Sequence, residues 1–144
     1  MKMLVKDLMT RDPLTISPDA PVSAAARLLS RYNLGVLPVS GSGKQLCGVL
    51  TDRDIVLRCV AAEKSPDRTP VREIMTRRVL SASPDDDVEK AAWRMSQEQV
   101  RRLPVVEDGR LVGLLSLGDL SINREFAMEA SSCLAEICRN LISR

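Results

Sequence analysis

Two aspartates in this chain stand three residues after a hydroxyl side chain, and each pair follows a glycine and two apolar residues: "GVLTDRDI" at 48–55 and "GLLSLGDL" at 113–120. The chemistry-bearing positions are Thr51, Asp54, Ser116 and Asp119. A hydroxyl followed three residues later by a carboxylate at a helix start can form a capping box, in which each side chain accepts the other's backbone N–H and no ligand is needed. The same spacing suits a nucleotide. A helix N-terminus offers N–H groups and the positive end of its dipole to a phosphate. An aspartate there accepts two hydrogen bonds from a ribose diol, the hydroxyl donates to the phosphate, and Gly48 and Gly113 leave room for a flat base. Spacing alone leaves both uses open.

The elements that position these residues are legible from periodicity. Val22, Ala25, Ala26 and Leu29 recur at helical spacing, as do Val88, Ala91, Ala92 and Met95, so each set predicts one apolar stripe on a helix. Asp19 and Asp85 stand where a carboxylate would cap these helices, and Pro21 suits a first-turn position. Two pairs of β-rich runs follow, "VLPVS" with "QLCGVL" and "RLPVV" with "RLVGLL", each joined by a Gly-containing turn. The chain then re-enters a helix at Thr51 or Ser116.

These elements form a repeat. "VKDLMTRDPLTISPDAPVSAAA" at 5–26 aligns with "VREIMTRRVLSASPDDDVEKAA" at 71–92, and "LPV" at 37–39 with "LPV" at 103–105. The loop "SGSGK" is one residue longer than "VEDG", a change loops absorb easily. Each copy reads as short helix, short strand, helix, strand, strand, helix. The expected organisation is a first repeat at 5–62, a polar linker at 63–70, a second repeat at 71–122 and an amphipathic helix at 123–144.

Composition removes several classes of function. The 144 residues carry a net charge of +2 and only three aromatics, Trp93, Tyr32 and Phe126. A broad basic field and stacking surfaces for nucleic acid are both missing. The N-terminus lacks a signal-peptide core, and no apolar run approaches the about 18 residues that span a bilayer, so a cytoplasmic protein is expected. There is no histidine, the commonest general base. Cys47, Cys59, Cys133 and Cys138 have no zinc or redox spacing and are expected to be small, reduced, buried side chains. "SGSGK" lacks the length and the following hydroxyl of a P-loop. Neither catalysis nor a resident metal is expected.

The ordered set "MT", "SPD", "LPV" and "GhhT/SxxD" (h apolar), given twice, resembles a tandem pair of cystathionine-beta-synthase (CBS) domains, the Bateman module, over residues 5 to about 122. The brevity of the chain and "LTDRDIVLR" are similar to small stand-alone bacterial CBS proteins of hypoxic or general stress responses. The resemblance implies an α/β fold in which two βαββα repeats pack sheet to sheet as an intramolecular pseudo-dimer, plus a C-terminal helix. It also implies two clefts that take an adenine nucleotide (AMP, ADP or ATP) or S-adenosylmethionine as regulatory ligand. By the same resemblance, Asp54 and Asp119 hold the ribose and Thr51 and Ser116 the phosphate side. Thr15 and Ile16, with Ser81 and Ala82, line the adenine slots, and Arg101 and Arg102 face the phosphates.

The copies differ in charge. Arg101 and Arg102 face Gly35 and Val36 in the alignment, and Arg53 faces Gly118, so the clefts are expected to be unequal. With Thr51, Arg53 and Arg102 available, the Asp54 cleft is expected to be the tighter. Arg101 and Arg102 are alternatively solvated surface residues. Beyond the repeat, Ala130, Cys133, Leu134, Ile137, Cys138, Leu141 and Ile142 fall at helical spacing. That helix packs on its own domain, covers a dimer seam or docks a partner, and a homodimer is the expected assembly. The functional expectation is a ligand-sensing regulatory protein. The alternative is a structural or adaptor dimer with vestigial clefts that recruits a protein partner, and carboxylates turned inward onto their own main chain, with the grooves plugged by neighbouring side chains, would point to it.

Overall fold

The computed structural model describes residues 2–122 and 127–142. Of the tail, the charged Arg124, Glu125, Glu129, Arg139 and Arg144 and the apolar Leu141 and Ile142 lie outside the described residues or side chains. In chain order the elements are α1 (Val5–Leu8), β1 (Thr10–Arg11), α2 (Val22–Arg31), β2 (Val36–Ser40), β3 (Leu46–Thr51) and α3 (Asp52–Ile55). The second half adds α4 (Val88–Glu98), β4 (Arg102–Glu107), β5 (Arg110–Ser116), α5 (Leu117–Ile122) and α6 (Ala127–Ile142). The mixed α/β order expected from periodicity is present in both copies. α3 runs on into a π-helical turn at Val56–Val60, and a 3₁₀ turn occupies Val71–Glu73.

The chain forms two compact units, Leu14–Val79 with Gly109–Leu111, and Met1–Pro13 with Leu80–Asp108 and Val112–Arg144. They are called here the Asp54 unit and the Asp119 unit. Each copy therefore lends its opening segment to the unit that houses the other copy's aspartate.

In the Asp54 unit β2 and β3 pair antiparallel, with Val36 opposite Thr51, Leu37 opposite Leu50 and Pro38 opposite Val49. Ile16 bridges Val39 on the far side of β2, and Thr76 bridges Val49 on the far side of β3. The helical stripe of α2 buries Val22, Ala25 and Leu29, while Ala26 is half-buried. These pack with Ile16, Leu37, Val39, Leu50 and Cys59, and with Val71, Ile74 and Met75 from the second copy's opening segment. Each such large aliphatic side chain contributes about 1.5–3 kcal/mol when buried.

The Asp119 unit repeats the plan. Its sheet runs β1-β5-β4, with Thr10 opposite Leu114 and Arg11 opposite Gly113. β4 and β5 are joined through Asp108 (φ 53°) and Gly109 (φ 78°), the paired positive φ values of a tight hairpin turn. Val88, Ala91, Ala92 and Met95 of α4 are all buried, as the stripe predicts. α6 packs on α4 and α5, placing Ala130, Cys133 and Ile137 in this core, so the tail packs on its own unit. Leu134 and Cys138 remain exposed.

Four local expectations are corrected. Asp19 does not cap α2: its carboxylate pairs with Arg72, the N-cap is Pro21, and the first helical N–H groups donate to the carbonyls of Thr69 and Pro66, both at 2.9 Å. The polar linker thus supplies the cap. In α4 the capping side chain is Asp87, which accepts from Glu89 N–H, while Asp85 binds Lys6 at 3.0 Å. The short early strand expected in each copy reduces to a single bridge, at Ile16 in the first and Ala82 in the second. Finally, of the four free cysteines only Cys59 and Cys133 are buried; Cys47 is half-buried and Cys138 exposed.

Candidate functional site

Both aspartates sit where β3 and β5 end and a helix begins, because the hydroxyl residue closes the strand and caps the helix. Thr51 Oγ1 accepts from Asp54 N–H at 3.0 Å, and Asp54 Oδ2 accepts from Thr51 N–H at 3.1 Å. Ser116 Oγ accepts from Asp119 N–H at 3.1 Å, and Asp119 Oδ2 accepts from Ser116 N–H at 2.8 Å. The capping boxes therefore exist in both copies. Capping does not exhaust these groups. A hydroxyl that accepts still has its own proton to donate, and a carboxylate that takes one N–H keeps lone pairs on both oxygens.

The two carboxylates differ in what else meets them. Asp54 is 7% exposed, and the Thr76 hydroxyl donates to its carboxylate, 3.2 Å from each oxygen. Arg58 Nε stands 3.9 Å from Oδ1. This aspartate is turned inward and covered. Asp119 is half-buried, and beyond the Ser116 N–H its carboxylate accepts no hydrogen bond among the described residues. It keeps one carboxylate oxygen for another donor. Among the described residues no buried side-chain nitrogen or oxygen lacks a partner.

The glycines serve a different end from that expected. A Cβ at Gly48 would come within 2.5 Å of the Thr76 carbonyl oxygen, and one at Gly113 within 2.5 Å of Met9 Sδ and 3.0 Å of the Thr10 carbonyl. The space over each strand is filled by the opening segment that crosses it, not left for a base. The crossing is fixed by reciprocal bonds between Val49 and Thr76, N–H to carbonyl, at 2.9 and 2.8 Å.

Ile16 and Ala82, expected in the adenine slots, are core residues. Ile16 donates to Pro38 and accepts from Ser40; Ala82 donates to Pro104 and accepts from Val106. Their neighbours Thr15 and Ser81 are half-buried, and their peptide groups make no hydrogen bond among the described residues.

The expected phosphate-side cations are distributed unevenly. Arg53 and Arg101 are exposed and Arg102 is half-buried, and none of the three guanidinium groups forms an ion pair among the described residues. Arg53 N–H donates to Asp52 Oδ1, and the Arg101 carbonyl accepts from Leu117 N–H at 3.0 Å. Arg101 also lines a cavity of about 380 Å³ with Leu117, Gly118, Ser121, Ala130, Ser131 and Leu134, bounded by α5 and α6; Asp119 is not in its lining. Among the described residues no cluster of acidic or cysteine side chains could hold a metal. No described helix is long and apolar enough to cross a membrane.

Sequence reasoning missed Thr76 and Arg58. The signal for Thr76 was its place in the repeated "MT", and for Arg58 its position four residues after Asp54, one helical turn on.

Comparison with known proteins matches this geometry to a family. CBS domain-containing protein YhcV of Bacillus subtilis is 42% identical over 133 residues, covering 92% of this chain and 94% of that protein. The crystal structure of Hypoxic Response Protein I with two coordinated zinc ions has a TM-score of 0.78 at 28% identity, covering 84% of this chain and 98% of the other. The CBS domain pair of protein MJ0100, in complex with 5′-methylthioadenosine and S-adenosyl-L-methionine, has a TM-score of 0.74 at 32% identity, covering 90% and 99%. The CBS domain model matches residues 5–60 and again 71–122. With both copies of the repeat matched and both aspartates in the same cap, the chain belongs to the CBS-domain family as a tandem pair.

Proposed function

We propose that the chain is a regulatory sensor that binds an adenine nucleotide (AMP, ADP or ATP) or S-adenosylmethionine through its two aspartates and signals by a change of conformation. The observation that carries this reading is Asp119: a half-buried carboxylate with one oxygen unused among the described residues, beside a Ser116 hydroxyl that donates to none of them. A ribose diol supplies the donors that oxygen lacks, and charge-assisted bonds of this kind are about twice as strong as neutral ones. Arg101 and Arg102, with no ion pair among the described residues, are the cations available to a phosphate. The adenosyl ligands named for the MJ0100 pair support the ligand class. The role is binding and regulation without catalysis.

The reading includes a homodimer, supported by apolar side chains left in water: Val56, Leu57 and Val60 on the π turn and Trp93 on α4, all half exposed or more. It also places the protein in the cytoplasm, in a response to stress, in keeping with four free thiols and with the likeness to Hypoxic Response Protein I.

A thermal-shift panel of AMP, ADP, ATP and S-adenosylmethionine on wild type, Asp54→Ala and Asp119→Ala tests it. A ligand at 100 times its dissociation constant adds about 2.7 kcal/mol, enough to raise the melting temperature measurably. At least one compound is expected to stabilise wild type and to lose that effect in Asp119→Ala. No shift from any compound leaves the adaptor dimer, whose aspartates are caps alone.

A further inference from the structure

The two capping boxes are alike, so the difference between the aspartates comes from outside them. In the Asp54 unit, Thr76 crosses β3 at Val49 and turns its hydroxyl onto Asp54. Arg58 approaches the same carboxylate, and its Nη1 donates to the carbonyls of Ile74 at 3.3 Å and Met75 at 3.1 Å. One arginine thus ties three things together: the aspartate, the π turn on which it sits, and the segment leading into Thr76.

Among its described residues the Asp119 unit has the same frame without the tie. Thr10 occupies the place of Thr76 and pairs with Leu114 as Thr76 pairs with Val49, yet it is exposed and makes no hydrogen bond to Asp119. The residue matching Arg58 in the sequence alignment is Asn123, which carries no charge. Among the described residues the same fold therefore presents one carboxylate met by a side-chain donor and one met only by its own cap.

We infer that Thr76 and Arg58 form a latch on Asp54, so that a ribose-bearing ligand fills the Asp119 site first and enters the Asp54 site only by displacing the Thr76 hydroxyl and the Arg58 guanidinium. The inference rests on the ribose-binding reading of the two aspartates and adds an order of occupancy to it. That order reverses the one expected from arginine content alone, because a cation near a phosphate does not open a carboxylate that is already occupied. Displacing Arg58 also releases its hold on Ile74 and Met75. The segment freed at the other end is the π turn bearing exposed Val56, Leu57 and Val60, a surface that a partner can read. Thr76 and Arg58 are positioning residues in this scheme: they act on the ligand through Asp54.

The test is calorimetric titration with AMP. Asp119→Asn is expected to abolish the tighter binding event and Asp54→Asn the weaker. In the Asp119→Asn background, Thr76→Val is expected to tighten the remaining event about tenfold, the equivalent of one competing hydrogen bond to a charged group, while Thr76→Ser, which keeps the hydroxyl, leaves it unchanged. A tighter event that belongs to Asp54, or equal AMP affinity with Val or Thr at 76, overturns the inference. If AMP binds at neither aspartate, the latch is judged without ligand. Thr76→Val then lowers the melting temperature by about 4 °C while Thr10→Val does not. Equal melting of those two variants overturns the latch itself.

Discussion

The hydroxyl of Thr76 lies 3.2 Å from each carboxylate oxygen of Asp54, whereas Thr10, its counterpart in the first copy, makes no hydrogen bond to Asp119 among the described residues. Two sites built from one duplicated plan are thus chemically unequal, and the inequality lies in the segments that cross between copies. Changes at those crossings have distinct consequences.

Gly48→Ala is expected to destabilise the fold by about 1–3 kcal/mol, because a Cβ there meets a backbone carbonyl held in place by reciprocal hydrogen bonds. Gly113→Ala is expected to cost less, since the nearest atoms belong to the flexible side chain of Met9. Urea denaturation of the two variants separates them, and equal midpoints would contradict the packing described.

The tail behaves as core and not as an appendage. Ile137→Ala removes a buried side chain and is expected to cost about 2–5 kcal/mol, whereas Leu134→Ala, 42% exposed on the same helix, is expected to cost under about 1 kcal/mol. Truncation after residue 122 removes Ala130, Cys133 and Ile137 from the Asp119 core together. It therefore tests folding before it tests any partner, and a truncated chain that melts like wild type would refute the burial of α6.

Cysteine labelling reports the same packing. Cys138 is expected to react with iodoacetamide first, Cys47 more slowly, and Cys59 and Cys133 only on unfolding. Burial pushes the Cys133 thiol up from its ordinary value. A thiol raised in the folded state holds its proton longer there than in the unfolded chain. Its contribution to stability is therefore full below about pH 8.5, the ordinary thiol value, and is lost as pH rises through the higher folded value. Melting curves at pH 7.5 and pH 10 should diverge less in Cys133→Ala than in wild type; identical divergence would remove Cys133 as a cause.

The duplication, the α2 and α4 stripes, both hairpins and the two caps were legible because each depends on residues close in sequence. Val88, Ala91, Ala92 and Met95 announce one buried helix face by spacing alone, and Thr51 with Asp54 announces a cap. What escaped depends on partners far along the chain. Asp19 reads as the cap of α2 until Thr69 and Pro66 bring their carbonyls to the same N–H groups and Arg72 takes the carboxylate. Gly48 reads as space for a ligand until Thr76, 28 positions on, crosses it. The occupied state of Asp54 escaped for the same reason, since its hydroxyl partner comes from the other copy.

Recognition of a ribose diol carries its own signature. If Asp119 accepts from both hydroxyls, 2′-deoxy-AMP leaves one acceptor site unmatched and is expected to bind about tenfold more weakly than AMP. Equal binding of the two nucleotides would assign Asp119 to the cap and the recognition to other residues.

The substitution Asp119→Asn probes the central claim most directly. Asparagine keeps an oxygen to accept the Ser116 N–H, so the cap and the fold survive, but it places an NH₂ donor where the unused carboxylate oxygen stood. Titration of AMP into wild type and Asp119→Asn, with melting temperatures recorded alongside, is expected to show near-equal stability and at least about a tenfold loss of affinity at the tighter site. Undiminished AMP binding by Asp119→Asn would contradict the account.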